Sequence, residues 1–158
     1  MTNIIHPSFK YGKDLKMGHF CVIEEDVVVG DDVDIQNYVL LKKGTRIGNN
    51  CYVDSYFRSS GDNLIGDNVT LRFGSTIARK VYIEDCVFIA PNVMTVYSLP
   101  NGSKSSGTYI KKGAFIGTAV VLAPNITIGA GVIIGTNSFV NKDCLEKGVY
   151  VGNPAKKL

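Results

Sequence analysis

IKKGAFIGTAVVLAPNITIGAGVIIGTNSFV, residues 110–140, carries the clearest repeat in the chain. A large aliphatic residue stands at every sixth position of this stretch, at Ile110, Ile116, Leu122, Ile128, Ile134 and Val140. The same spacing runs from Ile5 to Ile89, where only Ser59 is polar among the sixth positions. A period of six is a multiple of the two-residue period of a strand and does not fit the 3.6-residue period of a helix. The repeat therefore predicts short β-strands along most of the chain.

A second apolar position follows four residues after the first, and its residues are small or β-branched, as at Cys21, Val27 and Val120. Two positions four residues apart on a strand point to the same side, which indicates a shared interior. Each hexapeptide then makes one strand and one corner, often with glycine and Asn or Asp in the turn. Three hexapeptides close a triangular coil of about 18 residues, and coils stack at roughly 4.8 Å. We therefore predict one all-β domain over residues 1–158, a parallel β-helix of about seven coils.

Two segments interrupt the repeat. Residues 59–63, SSGDN, keep the period but lose the apolar residues, which predicts a bulged corner or a short excursion. Residues 95–109, TVYSLPNGSKSSGTY, shift the period by three and are rich in Ser, Gly, Asn and Pro, which predicts a long exposed loop. Because loops of this length are more often functional than inert, we expect this insertion to contribute to an active site.

Composition excludes several classes of function. The net charge of +3 comes from dispersed basic residues, which is not typical of a nucleic-acid-binding surface. No apolar run approaches the roughly 18 residues that span a membrane, and residues 1–10 do not resemble a signal peptide, so we expect a cytoplasmic protein without membrane insertion. The four cysteines, Cys21, Cys51, Cys86 and Cys144, show no C-x-x-C spacing, and three occupy the small interior position, so we expect no metal site.

The closing residues 149–156, VYVGNPAK, are similar to the V-x-G-x-P-A-[KR] segment of hexapeptide-repeat acyltransferases. Residues 82–94, YIEDCVFIAPNVM, resemble the family segment that precedes the acceptor loop, and the order of repeats, loop and closing segment is also similar. The resemblance is strongest to sugar N-acetyltransferases of surface-polysaccharide biosynthesis. It implies a left-handed coil, a homotrimer and an acetyl-CoA-dependent acetyltransferase.

The resemblance also implies that acetyl-CoA lies in a groove between neighbouring helices, along the coils that follow the loop. In this chain the contacts would come from Gly117, Thr118, Ala123, Gly135, Thr136, Lys142, Pro154 and Lys156. Small residues let a thin pantetheine arm approach the backbone, and lysines attract phosphates as point charges. Small residues are also what the corners of a β-helix require, so this structural alternative stays open.

The acceptor that the resemblance implies is an amino group on a nucleotide-linked sugar. We expect Glu84, Asp85 and Asn92 to orient it, and the sugar to contact Arg72, Tyr97 and Tyr109. Many acyltransferases of this fold use a histidine near the loop as general base, but this chain has only His6 and His19, both in the first coil. A hydroxyl acceptor needs such a base, whereas an amine with a pKa of about 7.7–8.0 is partly neutral at cytoplasmic pH. The missing histidine therefore favours N-acetylation.

Two alternatives to this function stay open, and a third is disfavoured. The chain could O-acetylate a sugar with an unrecognised base, such as Asp85 or a tyrosine. It could also be a non-catalytic scaffold or subunit, since the usual histidine is missing. A γ-class carbonic anhydrase shares the fold, but it needs three histidines around a metal, and two histidines in the first coil do not provide them. Glu84 and Asp85 have a structural alternative as well, because polar residues are common at corners.

Overall fold

Residues 2–158, the part of the chain described by the computed structural model, form three β-sheets that enclose a triangular prism. The chain passes from one sheet to the next through corners of four residues, so every third strand falls in the same sheet. Ile4 pairs with Val22 and Val22 pairs with Leu40, so residues eighteen positions apart lie in neighbouring coils. This arrangement is a left-handed parallel β-helix, as predicted.

The strands are two to four residues long and are numbered along the chain. Sheet A contains β1 (Ile4–Ile5), β4 (Val22–Ile23), β7 (Leu40–Leu41), β10 (Arg58–Ser59), β13 (Thr76–Ile77), β16 (Met94–Thr95), β19 (Val121–Leu122) and β22 (Phe139–Val140). Sheet B contains β2 (Lys10–Tyr11), β5 (Val28–Val29), β8 (Arg46–Ile47), β11 (Leu64–Ile65), β14 (Val81–Ile83), β17 (Thr108–Ile110) and β20 (Thr127–Ile128). Sheet C contains β3 (Lys16–Met17), β6 (Asp34–Ile35), β9 (Tyr52–Val53), β12 (Thr70–Leu71), β15 (Phe88–Ile89), β18 (Phe115–Ile116), β21 (Ile133–Ile134), β23 (Val149–Gly152) and β24 (Ala155–Lys157).

The described residues build eight coils, one more than the sequence repeat predicted. The additional coil is closed by β23, which pairs in parallel with β21, and β24 folds back on β23 in antiparallel pairing. In this closing hairpin, β23 has four residues and leads through a short turn into β24. Its sequence therefore does not keep the six-residue period, and the repeat did not predict this coil.

From the second coil onward, the interior of the prism consists of the residues that the repeat predicted. The second residue of a typical strand points inward and is fully buried, as at Ile23, Leu41 and Ile116. Cys21, Cys51 and Cys144 are also buried, and desolvation raises the pKa of each thiol, so these cysteines remain protonated and act as packing residues. The aliphatic column provides the main stabilisation, at roughly 1.5–3 kcal/mol for each fully buried Val, Leu or Ile.

The polar segment at residues 59–63 forms a regular corner, so the predicted bulge or excursion was wrong. Ser59 lies in β10 and pairs in register with the strands on both sides. Its Oγ contacts Thr45 Oγ1 and donates a hydrogen bond to Asn63 Oδ1 at 2.7 Å. Asn63 Nδ2 in turn donates to the carbonyl oxygen of Ala78 at 2.6 Å. Three buried polar side chains therefore satisfy one another in place of the missing apolar contacts.

The described part of the chain, residues 2–158, contains no helix with the length and hydrophobicity of a membrane span.

Candidate functional site

One corner of the prism gathers half of the predicted acetyl-CoA contacts. It joins sheet C to sheet A and will be called the CA corner; it comprises the first three of the four residues between these strands, 18–20, 36–38, 54–56, 72–74, 90–92, 117–119 and 135–137. Gly117, Thr118, Gly135 and Thr136 lie on this corner in the sixth and seventh coils. The corner is aromatic in the first four coils and carries small residues from Ala90 onward. From the fifth coil onward, the CA corner therefore presents a narrow surface without bulky side chains. This surface will be called the floor of the candidate site.

Gly117 and Gly135 face neighbouring protein atoms rather than open space. A Cβ atom on Gly117 would lie 2.7 Å from the carbonyl oxygen of Ile134, in the next coil. A Cβ atom on Gly135 would lie 2.6 Å from Val151 Cγ1, in the closing hairpin. The close approach of the next coil's backbone requires Gly117, which is the structural alternative left open by the sequence, whereas Gly135 meets a side chain of the closing hairpin. The surface of the floor is formed instead by Thr118, which is half-buried, and Thr136, which is exposed.

The closing hairpin lies at the end of this corner. The Gly152 backbone N–H donates to Ser138 Oγ at 3.0 Å, and Ser138 directly follows the CA corner of the seventh coil. Pro154 and Lys156 are both exposed on this hairpin. Lys157 is paired with Glu146 at 2.8 Å, whereas Lys156 forms no ion pair within residues 2–158. Lys156 is therefore a cation near the end of the CA corner that a phosphate group can approach.

Ala123 and Lys142 lie on a different corner. Both follow strands of sheet A, β19 and β22, on the corner that leads to sheet B, which will be called the AB corner. The width of sheet A separates this corner from the CA corner. The eight predicted acetyl-CoA contacts therefore do not form one groove on a single chain.

The loop also emerges from the AB corner, between β16 and β17, and spans residues 96–107. It is a compact hairpin in which Ser98 pairs antiparallel with Lys104. Its returning arm is fixed by Asn125, whose Oδ1 accepts hydrogen bonds from the Ser106 backbone N–H at 2.7 Å and from Ser105 Oγ at 3.1 Å. Asn125 could not be predicted from the sequence, because nothing in the repeat shows that its side chain reaches the loop. Tyr97, at the start of the loop, is half-buried and packs against the core.

Glu84 and Asp85 lie on the third corner, which leads from sheet B to sheet C. Glu84 pairs with Lys111 Nζ at 2.8 Å and accepts the Lys112 backbone N–H at 2.9 Å. The hydrogen bond from Lys111 is the main reason that the pKa of Glu84 lies below its ordinary value. Asp85 Oδ1 accepts the backbone N–H of Asp67 at 3.0 Å. Both carboxylates are thus engaged in joining coils.

Asp85 belongs to a column of side chains that repeats along this corner. Asp31, Asn49 and Asp67 each accept the backbone N–H of the preceding coil, at 2.7–2.8 Å. The column holds successive corners in register.

The other predicted acceptor contacts are dispersed. Asn92 and Arg72 lie on the CA corner, and Arg72 Nε is 3.2 Å from Asp54 Oδ2. Tyr109 lies on the outer face of sheet B and stacks on Tyr82, with the ring centroids 5.0 Å apart. On one chain, the structure does not bring the six predicted acceptor contacts together.

Both histidines are far from the later coils. His6 lies on the first AB corner, where its Nδ1 accepts the backbone N–H of Ser8 at 3.2 Å. His19 lies on the CA corner of the first coil, four coils from Asn92, which is about 19 Å at the interstrand spacing. Among residues 2–158, no group of three or more His, Cys, Asp or Glu side chains is arranged to hold a metal ion.

Two depressions in the surface lie among the first four coils, away from the predicted acetyl-CoA contacts. One, of about 540 Å³, is lined by residues of the first two coils, including Ile5, His6 and Glu24. The other, of about 560 Å³, is lined by residues of the first four coils, including Lys10 and Arg46. Neither adjoins the small-residue part of the CA corner.

A parallel β-helix of hexapeptide coils with one projecting loop defines a class of proteins, and comparisons with known proteins agree with it. The family described as bacterial transferase hexapeptide (six repeats) matches residues 107–142. Galactoside O-acetyltransferase of Escherichia coli is 32% identical over 141 residues, covering 80% of this chain and 69% of that protein. The bifunctional protein GlmU of Lactobacillus johnsonii is 31% identical over 130 residues, covering 82% of this chain and 25% of that protein.

A solved structure shares the fold. It is a mutant of perosamine N-acetyltransferase from Caulobacter crescentus in complex with CoA and GDP-perosamine, with a TM-score of 0.55 and 20% identity, covering 100% of this chain and 57% of that chain. The chain belongs to the hexapeptide-repeat acyltransferase family. It spans only a quarter to about a third of the length of the GlmU relatives that it matches.

Proposed function

We propose that the protein transfers an acetyl group from acetyl-CoA to the amino group of a nucleotide-linked sugar. The observation that carries the proposal is the CA corner of the later coils, which is narrow, uncharged and lined by small residues, with the exposed Lys156 near its end. Membership of an acyltransferase family supports the reaction type, and the complex of perosamine N-acetyltransferase with CoA and GDP-perosamine supports the choice of an amino sugar.

The residues on the CA corner fit acetyl-CoA. Thr118 and Thr136 are accessible on a floor without bulky side chains, which suits a thin pantetheine arm. Pro154 and Lys156 lie at the end of this floor, where the lysine suits the phosphates. With its phosphates near Lys156, acetyl-CoA would extend along the small residues, and its thioester end would lie toward Asn92 and the middle coils.

A homotrimer would complete this site. On one chain, Ala123, Lys142 and the loop lie on the AB corner, away from the floor. In a ring of three copies, the AB corner of one copy can face the CA corner of the next, which would place all eight predicted acetyl-CoA contacts along one groove. Tyr97 and Tyr109 would then approach the thioester end from the neighbouring copy.

The chemistry requires few groups on the protein. The bound acetyl-CoA supplies a thioester whose carbonyl carbon gains a C–N bond to the amine while its C–S bond breaks and the amine proton leaves with the CoA thiol. Since a sugar amine with a pKa near 8 is partly neutral, the protein must mainly hold the two reactants together. The backbone N–H of Thr118 donates no hydrogen bond within residues 2–158, so it is free to donate to a carbonyl oxygen that gains negative charge. Among the predicted acceptor contacts on the CA corner, Asn92 lies in the coil adjacent to Thr118 and would orient the amine.

Two further expectations go with this proposal. We place the reaction in the cytoplasm, which is supported by the four free cysteines, because unpaired thiols are typical of a reducing compartment. We also place the acetylated sugar in the biosynthesis of a surface polysaccharide, which rests on the resemblance to sugar N-acetyltransferases.

O-acetylation is the second candidate, and one observation favours it. The galactoside O-acetyltransferase of Escherichia coli matches this chain over more of its own length than the GlmU proteins do. A hydroxyl acceptor needs a general base, and both histidines lie in the first coil, four coils from Asn92 on the CA corner. This geometry supports the amine over the hydroxyl.

Thiol release from acetyl-CoA tests the proposal. Matched nucleotide-linked sugars, one with an amino group and one with a hydroxyl at the same carbon, are incubated with the protein and acetyl-CoA. We expect CoA release with the amino sugar and none with its hydroxyl partner. Turnover of the hydroxyl compound alone would replace N-acetylation by O-acetylation. No turnover with any member of such a panel would favour the non-catalytic scaffold.

A further inference from the structure

Buried polar side chains are concentrated along one edge of the prism. Six of the eight that residues 2–158 contain lie along the AB corner or in the loop that leaves it: Thr45, Ser59, Asn63, Thr95, Ser105 and Thr108. The other two, Ser75 and Ser138, directly follow the CA corner. A buried polar group costs free energy unless it is hydrogen-bonded. The concentration at the AB corner therefore indicates a local task that apolar residues would not perform.

The strands of sheet A show where the apolar repeat is interrupted. The second residue of each strand points into the prism, and it is polar only at Ser59 in β10 and at Thr95 in β16. Ile77, in β13, separates the two. Thr95 is the last residue of its strand before the loop, and Ser59 lies two coils earlier. The two polar positions therefore flank the AB corner of the fifth coil, residues 78–80, which directly precedes the coil that carries the loop.

The corner at residues 78–80 is hydrogen-bonded from both neighbouring coils. Ser59 Oγ donates to Asn63 Oδ1 at 2.7 Å, and Asn63 Nδ2 donates to the carbonyl oxygen of Ala78 at 2.6 Å. From the other side, the Ala78 N–H donates to Thr95 Oγ1 at 2.6 Å. All four residues are buried, so water does not compete for these hydrogen bonds. They form one continuous chain from the fourth coil to the first residue before the loop.

The hydrogen bond to Thr95 stands where another coil uses a backbone acceptor. In the fourth coil, the first residue after the sheet A strand is Ser60, and its N–H donates to the carbonyl oxygen of Ile77 at 2.8 Å. The equivalent N–H in the fifth coil is that of Ala78, and its acceptor is the hydroxyl of Thr95. The hydroxyl thus keeps the two coils joined at the point where the backbone turns away from the sheet and enters the loop.

The other end of the loop is bound to the same corner. The Thr108 N–H donates to the carbonyl oxygen of Lys80 at 3.0 Å. Residues 78–80 therefore hold the chain both where the loop begins and where it ends. Tyr97, the predicted acceptor contact at the start of the loop, follows Thr95 by two residues. Because so few rotatable bonds separate the two, the backbone direction at Thr95 decides where the ring of Tyr97 lies.

We propose that Thr95 is a positioning residue for the reaction. The hydrogen bond that its hydroxyl accepts from Ala78 sets the direction in which the loop leaves the prism, and so the position of Tyr97. Ser59 and Asn63 hold the same corner from the coil before it, which gives a reason for the loss of apolar residues in this segment. The link from the loop to the acceptor rests on the proposed function, whereas the anchoring of the loop does not.

Two substitutions at Thr95 and one control test the anchor. Thr95→Val retains nearly the same shape but cannot accept a hydrogen bond, so the Ala78 N–H loses its partner. Thr95→Ser retains the hydroxyl and is the conservative variant. Val69→Ala is the control for a general loss of stability, because it removes buried methyl groups from the fourth coil at the corner between sheets B and C, away from the loop.

Hydrogen exchange of the loop amides, followed by mass spectrometry, is the first readout. In Thr95→Val we expect the amides of residues 97–104 to exchange at least about tenfold faster than in the wild type. In Thr95→Ser and Val69→Ala, the same amides should stay within about threefold of the wild type. Unchanged exchange in Thr95→Val, or an equal increase in Thr95→Ser, would overturn the anchor.

The wild type provides a second measurement that does not depend on a variant. Exchange of single amides, followed by nuclear magnetic resonance, should show the Ala78 amide as slow as the Ser60 amide, which is bonded to a backbone carbonyl. An Ala78 amide that exchanges as fast as the exposed amides of the loop would show that the hydroxyl of Thr95 does not hold it, and the anchor would be overturned.

Kinetics separate a positioning role from a purely structural one. A variant that is merely less stable has fewer active molecules and a lower kcat, with unchanged KM values. Thr95→Val should instead raise the KM for the amino sugar at least about fivefold and leave the KM for acetyl-CoA within about twofold, and Thr95→Ser should restore the wild-type values. Faster exchange of the loop with an unchanged KM for the amino sugar would overturn the role of Thr95 in the reaction.

Failure of the proposed function gives a different result. A wild type that releases no CoA with any amino sugar would reject the proposed function, and with it the role of Thr95 in the reaction. Loop exchange that still depends on the hydroxyl of Thr95 would then retain the anchor. Turnover of an amino sugar by a Thr95→Val variant with wild-type exchange and wild-type KM values would retain the proposed function and reject the anchor.

Discussion

Gly117 provides the sharpest test of how the coils constrain the candidate site. In Gly117→Ala the new Cβ would lie 2.7 Å from the carbonyl oxygen of Ile134 and 2.8 Å from the backbone nitrogen of Thr136. Both atoms belong to the backbone of the next coil, which cannot move aside without lengthening the 2.8 Å hydrogen bond from the Gly117 N–H to Ile134. Overpacking of this kind costs about 1–3 kcal/mol. For a chain of this size, the melting temperature should fall by roughly 2–4 °C per kcal/mol, or about 2–12 °C in total.

Differential scanning calorimetry of the free protein measures this effect. Gly113→Asn is the matched control, because Gly113 lies in the same coil with a φ of 68° and nothing within 4 Å of its added Cβ. Asparagine tolerates this conformation, so the control should stay within about 0.5 kcal/mol of the wild type. If Gly117→Ala melts with the wild type, the coil-packing argument is refuted. If it melts normally but binds acetyl-CoA tenfold more weakly, the glycine instead serves the ligand.

Three further outcomes are expected. Asn63→Ala should cost about 2–4 kcal/mol in urea unfolding, because Ser59 Oγ and the carbonyl oxygen of Ala78 lose buried partners, and a cost under about 1 kcal/mol would contradict the polar network. The hydrogen bond from Lys111 lowers the pKa of Glu84, and at the surface this pair contributes at most about 1 kcal/mol. This contribution is present above the ordinary pKa of a glutamate, about 4.3, and is lost as the pH falls through the lowered pKa of Glu84. Glu84→Gln should therefore approach wild-type stability at low pH, and a difference that grows there would reverse the assignment. Asn125→Ala should raise amide hydrogen exchange in residues 98–106 about tenfold or more, whereas Asn125→Asp retains an acceptor oxygen and should not; equal exchange in both would show that another contact holds the loop.

The sequence predicted the fold well because the buried positions repeat without regard to what surrounds them. Each interior residue meets the equivalent residues of the coils above and below, so one short pattern specifies the strands, the corners and the closed prism. The polar corner at Ser59 was the exception. The buried polar groups of Ser59 and Asn63 form hydrogen bonds with each other and with the backbone of the next coil. A pattern of apolar residues does not predict such hydrogen bonds.

The candidate site was less predictable, for two physical reasons. Outside the coil that contains the loop, residues of neighbouring coils share a corner position when they are eighteen positions apart, as Thr118 and Thr136 are, and Ala123 fails this test although it is near both in sequence. Counting by eighteen would have separated the two corners. The contact between Glu84 and Lys111 bridges a coil enlarged by the loop, so its spacing of 27 residues could not be read from the repeat.

Calorimetric titration of acetyl-CoA into the protein and two variants tests the central claim, that acetyl-CoA lies along the CA corner of the later coils. Thr136→Tyr places a ring on the exposed floor of that corner in the seventh coil, and Ala130→Tyr places the same ring on another exposed corner of the same coil. We expect one acetyl-CoA per chain, with a micromolar dissociation constant that Thr136→Tyr raises at least about tenfold, or 1.4 kcal/mol, and that Ala130→Tyr leaves unchanged. Equal binding by both variants, or no detectable heat with the wild type at about 1 mM acetyl-CoA, would contradict the claim.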